Sequence, residues 1–174
     1  MSQRTLALLR QLDAACLSAA QLEHAVTEAF ETHEDAQVIA SFPGLGFLLG
    51  ARVLAELGDD RTRFADARAL KAYAGAAPIT RASGKKSSVT ARRVKNDRLA
   101  SVGYRRAFCA LTTSPGACAH YDRRREAGER HVAALRNLFN RLLGCLRRCL
   151  QHRIPYNEQA AFPTTKQDLH SLAA

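Results

Sequence analysis

The sequence predicts an all-α fold: a helical domain containing a helix-hairpin-helix, preceded by a coiled-coil helix. Three observations carry that prediction. The apolar fraction, 47%, is dominated by Ala and Leu, both strong helix formers. There is no Trp, and aromatics make up 6%, a poor supply for a sandwich or barrel. Apolar residues also recur at three- and four-residue spacing along most of the chain. A length of 174 residues suffices for one compact domain plus an appendage, with a core that needs no staples.

Residues 1–35 read as one long helix. Leu8, Leu12, Ala15, Ala19, Leu22, Val26 and Ala29 follow the alternating a/d spacing of a heptad seam. The alanines keep that seam narrow. Two readings fit it: a coiled coil that dimerises the chain or links domains, and an amphipathic helix folded back on its own domain. Residues 36–153 form the main domain, with the helix-hairpin-helix at about 36–57, and residues 154–174 read as a polar tail containing Pro155 and Pro163.

Within the main domain, a short helix over 36–42 leads into Phe42-Pro43-Gly44-Leu45-Gly46. A second helix over 46–57 stops at Gly58, a C′ glycine. Asp59 to Thr62 form a polar loop, and Phe64 anchors the core. Asp66 caps a helix over 67–73 that turns Leu70 and Tyr73 inward and ends before Gly75 and Pro78. Residues 79–97 have little apolar periodicity and read as a loop or short extended hairpin with a basic surface. Helix resumes at 96–97 and runs to 113, with Leu99, Val102, Phe108 and Leu111 as core. Ser114-Pro115-Gly116 breaks it, and a helix follows over 117–125. The last helix, 129–152, collects Leu135, Leu138, Phe139, Leu142, Leu143, Leu146 and Leu150 on one broad face.

Charge narrows the function. The net charge is +10, yet residues 1–40 carry six acids and two bases, leaving +14 on the remainder. Between Arg81 and Arg106 there are nine Lys/Arg and a single acid, Asp97. Such concentration suits a polyanion, most simply nucleic acid, although a solvated basic face without a partner has the same composition. The stretch lacks a stripe of large apolar residues, which argues against an anionic membrane. With no long apolar run and an N-terminus soon interrupted by Gln11 and Asp13, no membrane span or secretory signal is predicted, and a cytoplasmic location is expected.

Gly44, Leu45 and Gly46 form the candidate phosphate-gripping turn. Two glycines permit a tight turn and close approach, and the unpaired N–H groups of the following helix favour an anion. An ordinary glycine turn between core helices explains the same residues. No P-loop is present, because Phe47-Leu48-Leu49 follow the glycines. The acids show no metal-ligand pattern for a two-metal nuclease. Cys16, Cys109, Cys118, Cys145 and Cys149 are an odd set without CxxC spacing, so free thiols and no metal site are expected. Ser83-Gly84-Lys85 offers a hydroxyl beside cations that would stabilise charge on an attacked phosphodiester. A turn-forming or phosphate-contacting serine is the plainer alternative.

Several motifs then occur in order: Phe42-Pro43-Gly44-Leu45-Gly46, the run Ala51 to Asp59, Arg63-Phe64, Tyr73-Ala74-Gly75-Ala76-Ala77-Pro78, Ser83-Gly84-Lys85, Arg92-Arg93-Val94-Lys95-Asn96, His120-Tyr121-Asp122 and Asn137 to Leu143. Together they resemble the C-terminal transposase domain of the DEDD-type insertion-sequence transposases, the bridge-RNA-guided serine recombinases related to pilin-gene invertases. The resemblance covers about residues 35–162, and the preceding coiled coil also matches. It implies a domain that binds DNA, with a guide RNA as a further candidate partner, and works beside a RuvC-like DEDD domain whose four acids hold Mg²⁺. It implies a nucleophilic serine at Ser83, with Ser87 and Ser88 as nearby competitors. Arg81, Lys85, Lys86, Arg92, Arg93 and Lys95 become candidate phosphate contacts. A homo-oligomer through the coiled coil is expected. The RuvC-like half has no counterpart in this sequence, so a truncated or separately encoded C-terminal half, with no cofactor of its own, is the expectation. A non-catalytic DNA-binding or dimerising remnant is the alternative.

Overall fold

The computed structural model describes residues 2–84 and 86–163, with backbone only for Lys86 and Ser87. Its elements in order are α1 (Gln3–Glu31), α2 (Ala36–Ala40), α3 (Phe47–Leu57), α4 (Ala67–Tyr73), β1 (Ile79–Ser83), β2 (Lys86–Thr90), α5 (Asp97–Thr113), α6 (Pro115–Glu126), α7 (His131–His152) and α8 (Glu158–Ala161). The chain is mostly helical, as its composition predicts. The basic segment forms the hairpin alternative, not a loop: β1 and β2 pair antiparallel from Ile79↔Thr90 to Ser83↔Lys86.

The core is organised on α7. Its apolar residues at helical spacing bury Leu135, Leu138, Leu142, Leu143, Leu146 and Leu150. Against this face pack α2, α4, α5, α6 and α8. The α5 stripe runs through Leu99, Val102, Gly103, Arg106, Ala107 and Ala110. Phe108, expected in the core, lies off that stripe and is 56% exposed. An arginine takes the inward position instead.

Local signals set the helix ends. Asp66 Oδ1 accepts from Ala69 N at 2.7 Å, and Gly58 closes α3 with φ +72°. Ser114 Oγ accepts from Ala117 N at 3.0 Å and is followed by Pro115 at the first turn of α6. Buried Asp35 pairs with Arg61 and so fastens the α1–α2 junction to the loop after α3.

Among the described residues, α1 touches the domain only at its C-terminal end. Phe30 is its buried residue and meets Phe47 at 6.3 Å between ring centroids. Gly50 is where α3 crosses this contact, since a Cβ there would stand 2.8 Å from Phe30 Cζ and 3.1 Å from Ile39 Cγ2. The rest of α1 projects into solvent, with Leu8, Leu12, Leu22 and Val26 exposed. Among the described residues, nothing covers this part of the helix.

The segment after α7 returns to the body. Tyr156 N donates to Ser41 Oγ at 2.8 Å and its ring lies 4.7 Å from that of Phe42. Glu158 accepts from Ser114 Oγ at 2.6 Å, Gly116 N at 2.8 Å and Tyr156 O–H at 2.6 Å, and Phe162 is buried. Burial opposes ionisation of Glu158, but these three donors outweigh it and hold its carboxyl below the usual range.

Candidate nucleic-acid interface

The glycine turn offers two different surfaces. Gly44 adopts φ +74° and faces inward: a Cβ there would lie 2.5 Å from Arg106 O and 3.1 Å from Ala110 N. Its lack of a side chain lets the turn seat on α5. Leu45 is buried in the core, so its backbone is what it can present to a phosphate. Gly46 is exposed, has no atom within 4 Å of where a Cβ would sit, and occupies the N-cap of α3 without a side-chain cap. The N–H groups of Phe47, Leu48 and Leu49 begin the helix and have no intrahelical acceptor by its geometry. Phe47 and Leu48 are 50% and 37% exposed, so this end of α3 is open to an anion.

The hairpin carries Ser83 at its tip. Ser83 is exposed, ends β1 opposite Lys86, and precedes Gly84, whose φ of +55° makes the tight connection. Side chains alternate along a strand, so Ile79, Arg81 and Ser83 share one face while Thr80 and Ala82 share the other. Ser88 pairs with Arg81 and so stands on the Ser83 face, whereas Ser87 pairs with Ala82. Arg81 is exposed. Lys85 lies outside the described residues, as does the side chain of Lys86.

Behind the hairpin, its two ends are fastened together. Asn96 N donates to Tyr73 O at 2.8 Å. Asn96 Nδ2 donates to Glu56 Oε2 at 2.5 Å and to Tyr73 Oη at 2.6 Å. Asn96 Oδ1 accepts from Leu99 N at 2.9 Å and caps α5. Arg63 adds donors to Glu56 O, Leu57 O and Tyr73 Oη, with its guanidinium 5.2 Å from the centroid of the Tyr73 ring. The cluster links α3, α4 and α5, and so places the glycine turn and the hairpin on one scaffold. Glu56, Arg63, Tyr73 and Asn96 stand within the ordered motifs of the sequence, but their spacing does not reveal this role. An Asn just before an Asp-Arg-Leu helix start was its available signal.

The basic residues after the hairpin differ in availability. Arg93 is exposed; Arg92 is half-buried, with Nε unpartnered among the described residues. Lys95 crowds Gly75 with its stem and pairs with Asp97 at 2.6 Å. Arg52 and Arg98, which no sequence signal singles out, line with Glu56, Asp97 and Ser101 a cleft of about 550 Å³ between α3 and α5.

Among the described residues no group of three or more His, Cys, Asp or Glu side chains could hold a metal ion. Cysteines are free. Burial raises the thiol pKa of Cys145 and Cys149, and the Asp122 carboxylate raises that of Cys118, which disfavours a reactive thiolate. No helix among the described residues is long and apolar enough to cross a membrane.

Comparison with known proteins places this surface in context. Residues 36–122, from α2 through the hairpin into α6, match the family described as Transposase IS116/IS110/IS902. The IS117 mini-circle protein of Streptomyces coelicolor, which bears the name of a transposase, is 64% identical over 90% of this chain and 38% of its own length. The 42 kDa protein of insertion element IS900 from Mycobacterium paratuberculosis is 38% identical over 76% of this chain and 33% of its own. The 43.6 kDa protein of insertion element IS110 from Streptomyces coelicolor is 33% identical over 72% of this chain and 31% of its own. The chain thus spans well under half the length of these relatives. The matched region contains the glycine turn, the hairpin with Ser83 and the Asn96 cluster, and on that match the chain belongs to the IS116/IS110/IS902 family of insertion-sequence transposases.

Proposed function

We propose that this chain is the DNA-gripping, serine-bearing part of an insertion-sequence transposase. The observation that carries the proposal is Ser83, exposed at the tip of a basic hairpin, within the stretch matched to a transposase family. In this reading the open N-terminus of α3 and Arg81, Arg92 and Arg93 bind backbone phosphates. Ser83 Oγ attacks a scissile phosphorus, forming a serine–phosphate ester as the bond to the leaving deoxyribose oxygen breaks. The hydroxyl proton passes to solvent, and the cations offset charge on the non-bridging oxygens. The chain spans 38% of the length of its IS117 relative, and the site is read as composite, completed by another domain. A guide RNA belongs to the same proposal, with the basic segment as its contact.

The test is covalent trapping. The chain, combined with the remaining part of its transposase and a substrate duplex, forms a protein–DNA adduct resistant to denaturant. Ser83→Ala abolishes the adduct and leaves binding intact. An adduct that persists in the variant overturns Ser83 and directs attention to Ser88, which stands on the same face of the hairpin opposite Arg81.

The exposed seam of α1 supports one addition: a second copy of the chain pairs along Leu8, Leu12, Leu22 and Val26. Sedimentation equilibrium tests it. A dimer that Leu12→Asp and Leu22→Asp dissociate is expected, and a monomer at high concentration overturns it.

A further inference from the structure

A second concave site lies on the other side of the hairpin from Ser83. It has a volume of about 360 Å³ and sits between the hairpin base and the facing parts of α6 and α7. Pro78 and Val89 form an apolar wall, and Arg124, Glu129, Arg136, Asn137 and Asn140 supply polar groups. Val89 pairs with Thr80, so it stands on the strand face opposite Arg81 and Ser83.

The polar groups are unevenly satisfied. Arg124 pairs with Glu129 through Oε1, while Glu129 Oε2 is buried without a hydrogen-bond partner among the described residues. A buried carboxylate oxygen with no donor is costly, and the carboxylate gains from any further N–H offered to it at the cleft. Arg136 is half-buried at the same cleft, and no ion pair or hydrogen bond engages it among the described residues. Asn140 Nδ2 donates to Ala76 O at 3.2 Å and fixes the floor against the hairpin base. The unmet needs are thus one acceptor seeking a donor and one planar cation seeking an acceptor, beside an apolar wall.

We infer that this cleft takes an unstacked nucleobase bearing an exocyclic amine. The amine donates to the Glu129 carboxylate, whose side chain is 26% exposed at the cleft, Arg136 donates to a ring nitrogen, carbonyl or neighbouring phosphate, and the base face lies on Pro78 and Val89. The volume falls in the usual range of about 300–1,000 Å³ for small-ligand pockets. A base paired within a duplex has its edge occupied and its faces stacked, so only a single-stranded or extruded nucleotide can enter. The hairpin then acts as a divider, with phosphate chemistry on the Ser83 face and a base held on the Val89 face. The inference rests on the nucleic-acid reading above and names the substrate feature that this second site selects.

The test uses the full chain and single-stranded oligonucleotides of about 12 nucleotides carrying 2-aminopurine. One is DNA and one RNA, and an unmodified duplex serves as control. Binding changes the 2-aminopurine fluorescence. Arg136→Ala and Ala133→Leu, the second of which fills the cleft without altering charge, each weaken single-strand binding about tenfold and remove the fluorescence change. Both leave duplex binding unchanged, and circular dichroism checks that both stay folded. Whichever oligonucleotide gives the larger change identifies the source as DNA or RNA. Duplex binding without any fluorescence response, or a response that both variants retain, overturns the cleft and spares the DNA-gripping reading. Failure to bind duplex and single strands alike overturns both.

Discussion

Asn96 Nδ2 stands 2.5 Å from Glu56 Oε2, joining two residues forty positions apart in the chain. One side chain thereby caps α5, holds α3 and, through Tyr73, closes the base of the basic hairpin. The donor on Nδ2 and the acceptor on Oδ1 are both in use, so no other side chain of similar size meets all its partners. Asn96→Ala removes the cap and leaves Glu56 and Tyr73 short of a donor. It is expected to cost about 2 kcal/mol or more in urea unfolding. Asn96→Asp keeps the cap but sets a carboxylate against Glu56, and is expected to be destabilising at neutral pH too. Wild-type stability in either variant would remove the cluster from its positioning role.

Gly44 and Gly46 separate packing from binding. Gly44→Ala forces φ +74° on an L-residue and drives a Cβ onto the α5 backbone, at an expected cost of at least ~2 kcal/mol. Gly46 has ordinary backbone angles and open space. Gly46→Val is expected to leave the melting temperature within a few degrees of wild type and to weaken binding to all duplex sequences alike. A loss confined to one sequence would argue for base readout at this turn.

Arg106 is a buried cation at the point where the glycine turn seats. It is 1% exposed, its Nε and Nη2 lack partners among the described residues, and its guanidinium lies 4.7 Å from the centroid of the Phe42 ring. Burial pulls its pKa down to about 10. Removing an unpaired buried charge while keeping volume is commonly neutral or stabilising. Arg106→Met should therefore change stability by less than ~1 kcal/mol or raise it, whereas Arg106→Ala leaves a cavity and costs about 3 kcal/mol. A large loss with Met would reveal a counter-charge or hydrogen-bond partner for Arg106.

His120 sets a pH dependence. Burial, followed by the charges of Arg141, Arg123 and Arg124, lowers its pKa, so the folded state favours the neutral ring. The folded state then binds fewer protons than the unfolded state. Its contribution is complete above the unfolded value of about 6.5 and is lost as pH falls from there through the lower folded value. His120→Gln is expected to flatten that limb of the stability profile. Chemical unfolding at pH 7.5 and at pH 5.5 reads it, and equal slopes in the two proteins would contradict it.

Most helices are legible in the sequence because their signals are local. Asp66, Gly58 and Pro115 mark ends where caps and φ limits dictate them, and the leucines of α7 announce its buried face. Other features depend on tertiary context. The hairpin shows no apolar alternation; Gly84 supplies its turn, and the Asn96–Tyr73 bonds hold its base. Phe108 misleads because a large apolar residue suggests burial, while the inward position on α5 goes to Arg106. Nothing local reveals that Gly44 faces α5, or that Arg124, Glu129 and Arg136 meet Val89 across a cleft. The segment after α7 reads as polar, yet Tyr156 and Phe162 are enough to bring it back onto the domain.

Binding of the full chain to labelled duplex DNA across a salt series most directly tests whether this is a phosphate-gripping domain. Contacts from the α3 N-terminus, Arg81, Arg92 and Arg93 neutralise about four phosphates, so log K against log salt is expected to fall with a slope near −4. Substituting Arg81 and Arg93 with Ala should reduce that slope by about two. Absence of binding at low salt, or a slope the double variant leaves unchanged, would contradict a DNA-gripping role for this surface.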